Sequence, residues 1–140
     1  MNKIKLQLDE FPFKHNIITR WKDLDAFGHV NNSVFLSYVE DARILFFKRW
    51  NINYKERSLI VASAKIDYIR QVSHPSNLII GQRISRLGTK SFDIHSVIFL
   101  KDDSLPVCES VITSVAFDFI KNKSVNIYQS IIDDYKIKIL

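Results

Sequence analysis

The sequence predicts an α+β fold: a curved antiparallel sheet, element order β-α-β-β-β-β, wrapped around one long helix. Three observations predict it. Residues 33–50 are apolar at a helical period. After residue 59 come β-branched segments joined by short turns, as antiparallel neighbours are. One amphipathic helix cannot cover both faces of so many strands, so the sheet must curl around it.

The first strand is expected within 11–22, FPFKHNIITRWK. Phe11, Phe13, Ile17 and Trp21 share one parity, and Lys14, Asn16, Arg20 and Lys22 the other, a half-buried strand pattern. The helix follows. Phe35, Tyr38, Val39, Ala42, Leu45, Phe46 and Arg49 fall at steps of three and four, which predicts about 17 residues, roughly 25 Å of helix. Asn31, Asn32 and Ser33 offer N-caps, and Lys48 and Arg49 in the last turn suit the helix dipole. The polar NINYKERS ends it.

From residue 59 the chain reads as strands. LIVASAKIDYIR places Ile60, Ala62, Ala64, Ile66 and Tyr68 on one face. NLIIGQRISRL leads into a hairpin turn at Gly88-Thr89. SFDIHSVIFLK alternates Phe92, Ile94, Ser96, Ile98 and Leu100, and KDDSLP is a second turn. VCESVITSVAFDFI puts Val107, Val111, Val115, Phe117 and Phe119 on one parity. Leu59 and Val61 beside Ile60 and Ala62 leave apolar residues on both parities. Such leftover apolar surface points to a homodimer or a dimer of dimers.

A chain of 140 residues, 46% hydrophobic and 25% charged, has the balance of one globular domain. No apolar run approaches the roughly 18 residues of a membrane span. The first residues are charged, with no signal-peptide stretch, so a cytoplasmic location is expected. The single cysteine, Cys108, excludes an intrachain disulfide and a multi-cysteine metal cage. A net charge of +5 favours anionic partners, either nucleic acid or a phosphate-rich cofactor. No block of like charges forms a nucleic-acid arm, and the aromatics sit mainly at core parities, so nucleic-acid binding is not expected.

The chemistry concentrates in DLDAFGHVNN, residues 23–32, between strand and helix. A helix N-terminus presents unpaired N–H groups and partial positive charge, which polarise a carbonyl oxygen. Asp23 and Asp25 arrive just before it. A carboxylate beside oxyanion donors is the minimum for attack on an acyl carbon. Gly28 permits φ > 0 or close approach of a ligand. The plainer reading is a polar turn with capping residues. Asp23, Asp25 and His29 lack a second histidine at supporting spacing, so no metal is expected. No Gly-x-Ser-x-Gly elbow is present, and Cys108 lies in a strand, as a structural thiol does.

Residues 23–43, DLDAFGHVNNSVFLSYVEDAR, resemble the signature of the hotdog-fold acyl-CoA thioesterases. They are most similar to the 4-hydroxybenzoyl-CoA thioesterase family, with its D-x-D-x-x-G-H-V-N-N-x-x-[YF]…E-x-x-R pattern. VASAKIDYIRQV, ISRLGTKSFDIHSVIF and ITSVAFDFIKNK match the family's strands in order, so the resemblance covers about 12–123 and leaves a tail, 124–140. Phe35 stands where tyrosine is frequent, and QVSHPSN lacks the usual turn.

The resemblance implies a set of roles. Asp25 is the catalytic carboxylate, as general base or nucleophile. Asn31 and Asn32 mark the carbonyl-polarising site, and Asp23 fixes the loop. Gly28 and His29 belong to the substrate loop. Arg86, Lys90 and Ser91 in RLGTKS, with Arg70 as a lesser candidate, hold coenzyme A. The expected reaction is hydrolysis of an acyl-CoA to acid and thiol, at a site between two protomers. No cofactor is required beyond the coenzyme A of the substrate. An acyl carrier protein is the alternative carrier, and a non-catalytic acyl-thioester- or protein-binding module is the competing class.

Overall fold

The computed structural model describes residues 6–137. Strand β1 (Phe13–Ile18) leads through a polar loop to helix α1 (Asn32–Arg49). Four long strands follow: β2 (Ser58–Tyr68), β3 (Asn77–Leu87), β4 (Ser91–Leu100) and β5 (Pro106–Asp118). A short β6 (Lys123–Ser124) and helix α2 (Gln129–Tyr135) close the described chain. The sheet order is β1-β3-β4-β5-β2, with β6 on β5 and every pairing antiparallel. The expected β-α-β-β-β-β order is therefore met, and the arrangement is that of the hotdog fold.

Helix α1 occupies one face of the sheet because its apolar stripe has nowhere else to go. Phe35, Tyr38, Val39 and Ala42 pack on Leu78, Ile80, Ile98, Val107, Cys108 and Ile112. Further along, Phe46 and Trp50 meet Ile84, Phe92 and Ile94. No described helix is long and apolar enough to cross a membrane.

Four details differ from the parity reading, each for a physical reason. Phe11 and Phe13 lie on opposite faces: Phe13 meets Phe46 beside α1, whereas Phe11 joins Val97 and Phe99 on the outer face. The Phe11 ring lies so close to Gly81 that a Cβ there would stand 2.7 Å from it. Trp21, expected on the buried parity, is 78% exposed, because the chain leaves β1 for a 3₁₀ turn at Trp21–Asp23.

In β2 a bulge between Val61 and Ser63 resets the alternation. Val61 and Ala64 therefore both border α1, and Ile60 faces the other way. In β5 the fully buried parity is Cys108, Ser110, Ile112, Ser114 and Ala116. Val111, Val115 and Phe117, expected as the apolar face, form the half-buried outer face.

Residues 127–134, in the tail for which the sequence offers no partner, are part of the packed body. Ile127 and Ile131 enter the core around Trp50. Asp134 accepts from Arg49 Nε and Nη2, each at 2.7 Å, and from Trp50 Nε1 at 2.5 Å. Helix α2 thereby fastens the C-terminal end of α1 through side chains.

Candidate active site

The loop 24–31 is held at both ends before any ligand arrives. Asp23, 2% exposed, accepts the Arg20 backbone N–H at 2.9 Å, Arg20 Nη2 at 3.0 Å and Tyr38 Oη at 2.6 Å. Its own carbonyl accepts the Asn31 N–H at 2.8 Å. Burial works to raise the Asp23 carboxyl. The hydrogen bonds from Tyr38 and Arg20 outweigh it and hold the group below the usual carboxylate range. The Val30 N–H reaches the Val72 carbonyl at 2.8 Å, which fastens the loop to the segment after β2.

Asp25 sits inside this frame. Its N–H donates to the His29 carbonyl at 2.7 Å. Its Oδ1 accepts the N–H groups of Phe27 at 2.8 Å and His29 at 3.2 Å, an Asx turn that fixes the carboxylate. Oδ2 has no hydrogen-bond partner among the described residues. Gly28 takes φ +83° to close the turn, and a Cβ there would meet nothing within 4 Å. Its role is conformational rather than close approach.

The helix N-terminus resolves into individual donors. Asn31 is the N-cap, and its Oδ1 accepts Ser33 N–H at 3.1 Å and Ser33 Oγ at 3.0 Å. Its own N–H is committed to Asp23. The Asn32 N–H makes no hydrogen bond among the described residues, so it is the free donor at the positive end of α1.

Asp25, His29, Asn31 and Asn32 line one side of a cleft of about 430 Å³, and Tyr68 and Arg70 line the other. Five predicted residues, Asp25, His29, Asn31, Asn32 and Arg70, thus meet in one place. Sequence reasoning misses Tyr68 and Gln71 in the cleft, and Tyr38, the anchor of Asp23. Strand alternation assigns Tyr68 to an apolar face, and nothing local marks it as a cleft residue.

Arg86, Lys90 and Ser91 do not join the cleft. They lie at the β3–β4 hairpin, the opposite end of the sheet, and β4 with its 10 residues is about 30 Å long. Arg86 is already paired: Nε is 2.9 Å from Asp93 Oδ2, and Nη2 is 3.0 Å from Ser91 Oγ. Cys108 is buried, and burial, with Asp67 and Glu109 nearby, pushes its thiol up to about 12. It is therefore no thiolate nucleophile. Among the described residues no group of three or more His, Cys, Asp or Glu side chains is placed to hold a metal.

Residues 19–133 match the thioesterase-like superfamily. The chain belongs to that superfamily. Several solved structures share its fold. The PA5185 protein of Pseudomonas aeruginosa strain PAO1 is 25% identical, with a TM-score of 0.84 over 92% of each chain. A Thermus thermophilus thioesterase, solved with coenzyme A and Zn, is 26% identical with a TM-score of 0.76, over 91% of this chain and 99% of that one. The uncharacterized protein YsmA of Bacillus subtilis (strain 168) is 36% identical over 87 residues, 61% of this chain and 59% of that protein. The chain thus spans about three fifths of the length of that curated relative. Membership of this thioesterase-like superfamily supports thioester hydrolysis as the general chemistry.

Proposed function

We propose that the protein hydrolyses acyl-coenzyme A thioesters at the cleft between the Asp25 loop and β2. The observation that carries this is the pairing of two uncommitted groups. Asp25 is locked through Oδ1 with Oδ2 free, and the Asn32 N–H stands free at the N-terminus of α1 in the same cleft. In the general-base route Oδ2 takes a proton from water while the water oxygen bonds to the thioester carbon. The carbonyl oxygen gathers negative charge and meets the Asn32 N–H. The C–S bond then breaks, and the departing thiolate takes up the proton. In the nucleophilic route Oδ2 itself forms the bond to carbon as the C–S bond breaks and the thiolate leaves; water then cleaves the resulting anhydride, releasing the acid and restoring the carboxylate while the thiolate takes up a proton. Single turnover in ¹⁸O water labels Asp25 only in the second route with water attacking the aspartyl carbonyl of the anhydride.

The coenzyme A half requires a second copy in this reading. Among the described residues β2 pairs only β5, which leaves its other edge without a strand, and Ile60, Val61 and Tyr68 on it are exposed. Antiparallel pairing of two β2 edges sets the Tyr68 end of one protomer beside the Ser58 end of the other. That brings the partner's hairpin, with the partner's Lys90, toward the cleft. A homodimer with sites at the interface follows, and the basic hairpin takes the phosphates of coenzyme A.

The test is thiol release by the purified protein from acyl-CoAs of graded chain length, with the same acyl groups on an acyl carrier protein. Turnover of the coenzyme A esters supports the reading. Turnover confined to the carrier protein replaces the carrier. No thiol from either overturns the enzyme reading in favour of a binding module.

A further inference from the structure

Two loops at the Ser58 end of β2, away from the Asp25 cleft at its Tyr68 end, carry apolar side chains into solvent. Tyr54, between α1 and β2, is 83% exposed, and Phe119 and Ile120, between β5 and β6, are 49% and 69% exposed. The loops are neighbours: the Phe119 N–H donates to the Lys55 carbonyl at 2.8 Å. Each is fixed by a polar anchor. The Asn53 side chain accepts the N–H groups of Lys55 at 2.8 Å and Arg57 at 3.1 Å, which sets the turn that bears Tyr54. Asp118, 6% exposed, accepts the N–H groups of Ile120 and Lys121, each at 2.9 Å. Lys123 then pairs with Asp118 in the short β5–β6 ladder. The apolar tips are thus held outward by the turns themselves.

Lysines surround these tips. Lys55, Lys121 and Lys123 are exposed and make no ion pair among the described residues. The acids nearest in the chain are otherwise engaged: Glu56 accepts from Asn53 Nδ2 at 3.1 Å, and Asp118 is buried in its turn. The patch therefore fits a partner that is anionic at its surface and apolar just beneath. A bilayer with anionic lipid has that profile: apolar side chains enter the headgroup layer, and ammonium groups meet the lipid phosphates. A second copy of the patch would set lysine against lysine. An acidic protein would match the lysines but needs a shaped pocket for each protruding tip, whereas a bilayer accepts tips of any shape.

We propose that this end of the protein docks on membrane surfaces that carry anionic lipid, with Tyr54, Phe119 and Ile120 entering the headgroup layer and Lys55, Lys121 and Lys123 meeting lipid phosphates. Docking of this kind needs no membrane-spanning helix. The turn after β5 is one strand inside the β2 edge, so the edge stays available to a second copy. The docking surface is separate from the Asp25 cleft of the same chain and stands whether or not that cleft hydrolyses thioesters. In the antiparallel dimer proposed above, it lies beside the cleft of the second copy and sets that cleft against the lipid surface.

The experiment sediments the full chain with vesicles of phosphatidylcholine alone and of phosphatidylcholine mixed with phosphatidylglycerol. The wild type should co-sediment with the mixed vesicles only, and high salt should release it. Ile120→Ser should weaken the partition about tenfold through lost apolar contact. Lys121→Gln combined with Lys123→Gln should weaken it about twentyfold, the product of two lysines near an anionic surface. These positions are exposed, so the melting temperature should stay at the wild-type value. A wild type that remains in the supernatant with mixed vesicles overturns the proposal. Binding indifferent to Ile120→Ser overturns it as well, since a basic protein then adheres by charge alone. A fall in oligomeric mass caused by Ile120→Ser in vesicle-free solution overturns it in favour of a second copy. Failure with vesicles beside Ile120-dependent binding of an acidic carrier protein overturns it in favour of a protein partner.

Discussion

Tyr38, in the second turn of α1, donates a 2.6 Å hydrogen bond to Asp23 Oδ2 at the start of the loop that carries Asp25. This contact ties the helix to that loop. Tyr38→Phe removes one donor from a buried carboxylate, and hydrogen bonds to charged groups contribute about 1.5–3 kcal/mol. A loss of that size should appear in the denaturation midpoint at pH 7. The same pair sets an acid response. The folded-state value of Asp23 lies below its unfolded value of about 3.9. Its contribution to stability is complete above the unfolded value and is lost as pH falls through the folded one. Tyr38→Phe should therefore flatten the decline of stability below about pH 4.

Asp134 predicts a purely structural effect. It is 6% exposed and accepts from both Arg49 and Trp50. Asp134→Ala leaves the indole N–H and a guanidinium without their acceptor, at a cost of about 3 kcal/mol. Asp25 lies at the other end of α1, so kcat should be nearly that of wild type at a temperature where the variant is folded. A fall in kcat comparable to that of an Asp25 variant would mean that α2 shapes the cleft.

Lys90 should matter for the carrier and not for the chemistry. It has no ion pair among the described residues, whereas Arg86 is bound to Asp93. Lys90→Ala should raise KM for coenzyme A esters by about tenfold, the equivalent of about 1.4 kcal/mol. Arg86→Ala should do less. Both effects should shrink at high salt, since exposed charges are screened beyond about 8–10 Å. A fall in kcat with unchanged KM would show the thiol carrier to be held elsewhere.

The free edge of β2 predicts the assembly. Ile60→Lys places like charges near each other across a two-fold pairing of β2 strands. Light scattering should show the wild type as a dimer or dimer of dimers and the variant shifted to monomer, with hydrolysis lost in step because the two halves of the site separate. A wild type that is monomeric at micromolar concentration contradicts the shared site.

Much of this architecture is legible in residue order. The helix expected at about 33–50 lies at Asn32–Arg49, because its apolar period and Asn31 cap are local signals. The cluster of Asp25, Asn31 and Asn32 is legible because capping and turn chemistry act over a few residues. What is not legible depends on distant contacts. The bulge at Ala62 comes from pairing with β5 and leaves no mark in composition. The serines on the buried face of β5 read as polar and hide the face that meets α1. Asp134 gives no signal without its partners Arg49 and Trp50, more than eighty positions earlier. Resemblance groups Arg86 and Lys90 with Asp25, and the folded chain keeps them apart.

The most direct test of the account is kcat for Asp25→Asn beside Asp23→Asn, each measured with the best coenzyme A ester. In Asp25→Asn the new side-chain amide can still accept the Phe27 and His29 N–H groups through its oxygen, so the fold should lose only about 1 kcal/mol, the scale of a cap. The amide can neither take a proton nor attack as an anion, so kcat should fall by about 10²–10⁴. Asp23→Asn should cost stability through its bonds to Tyr38 and Arg20, and lose far less in kcat. Wild-type turnover by Asp25→Asn, or equal losses in kcat for the two variants, would contradict the assignment of the chemistry to Asp25.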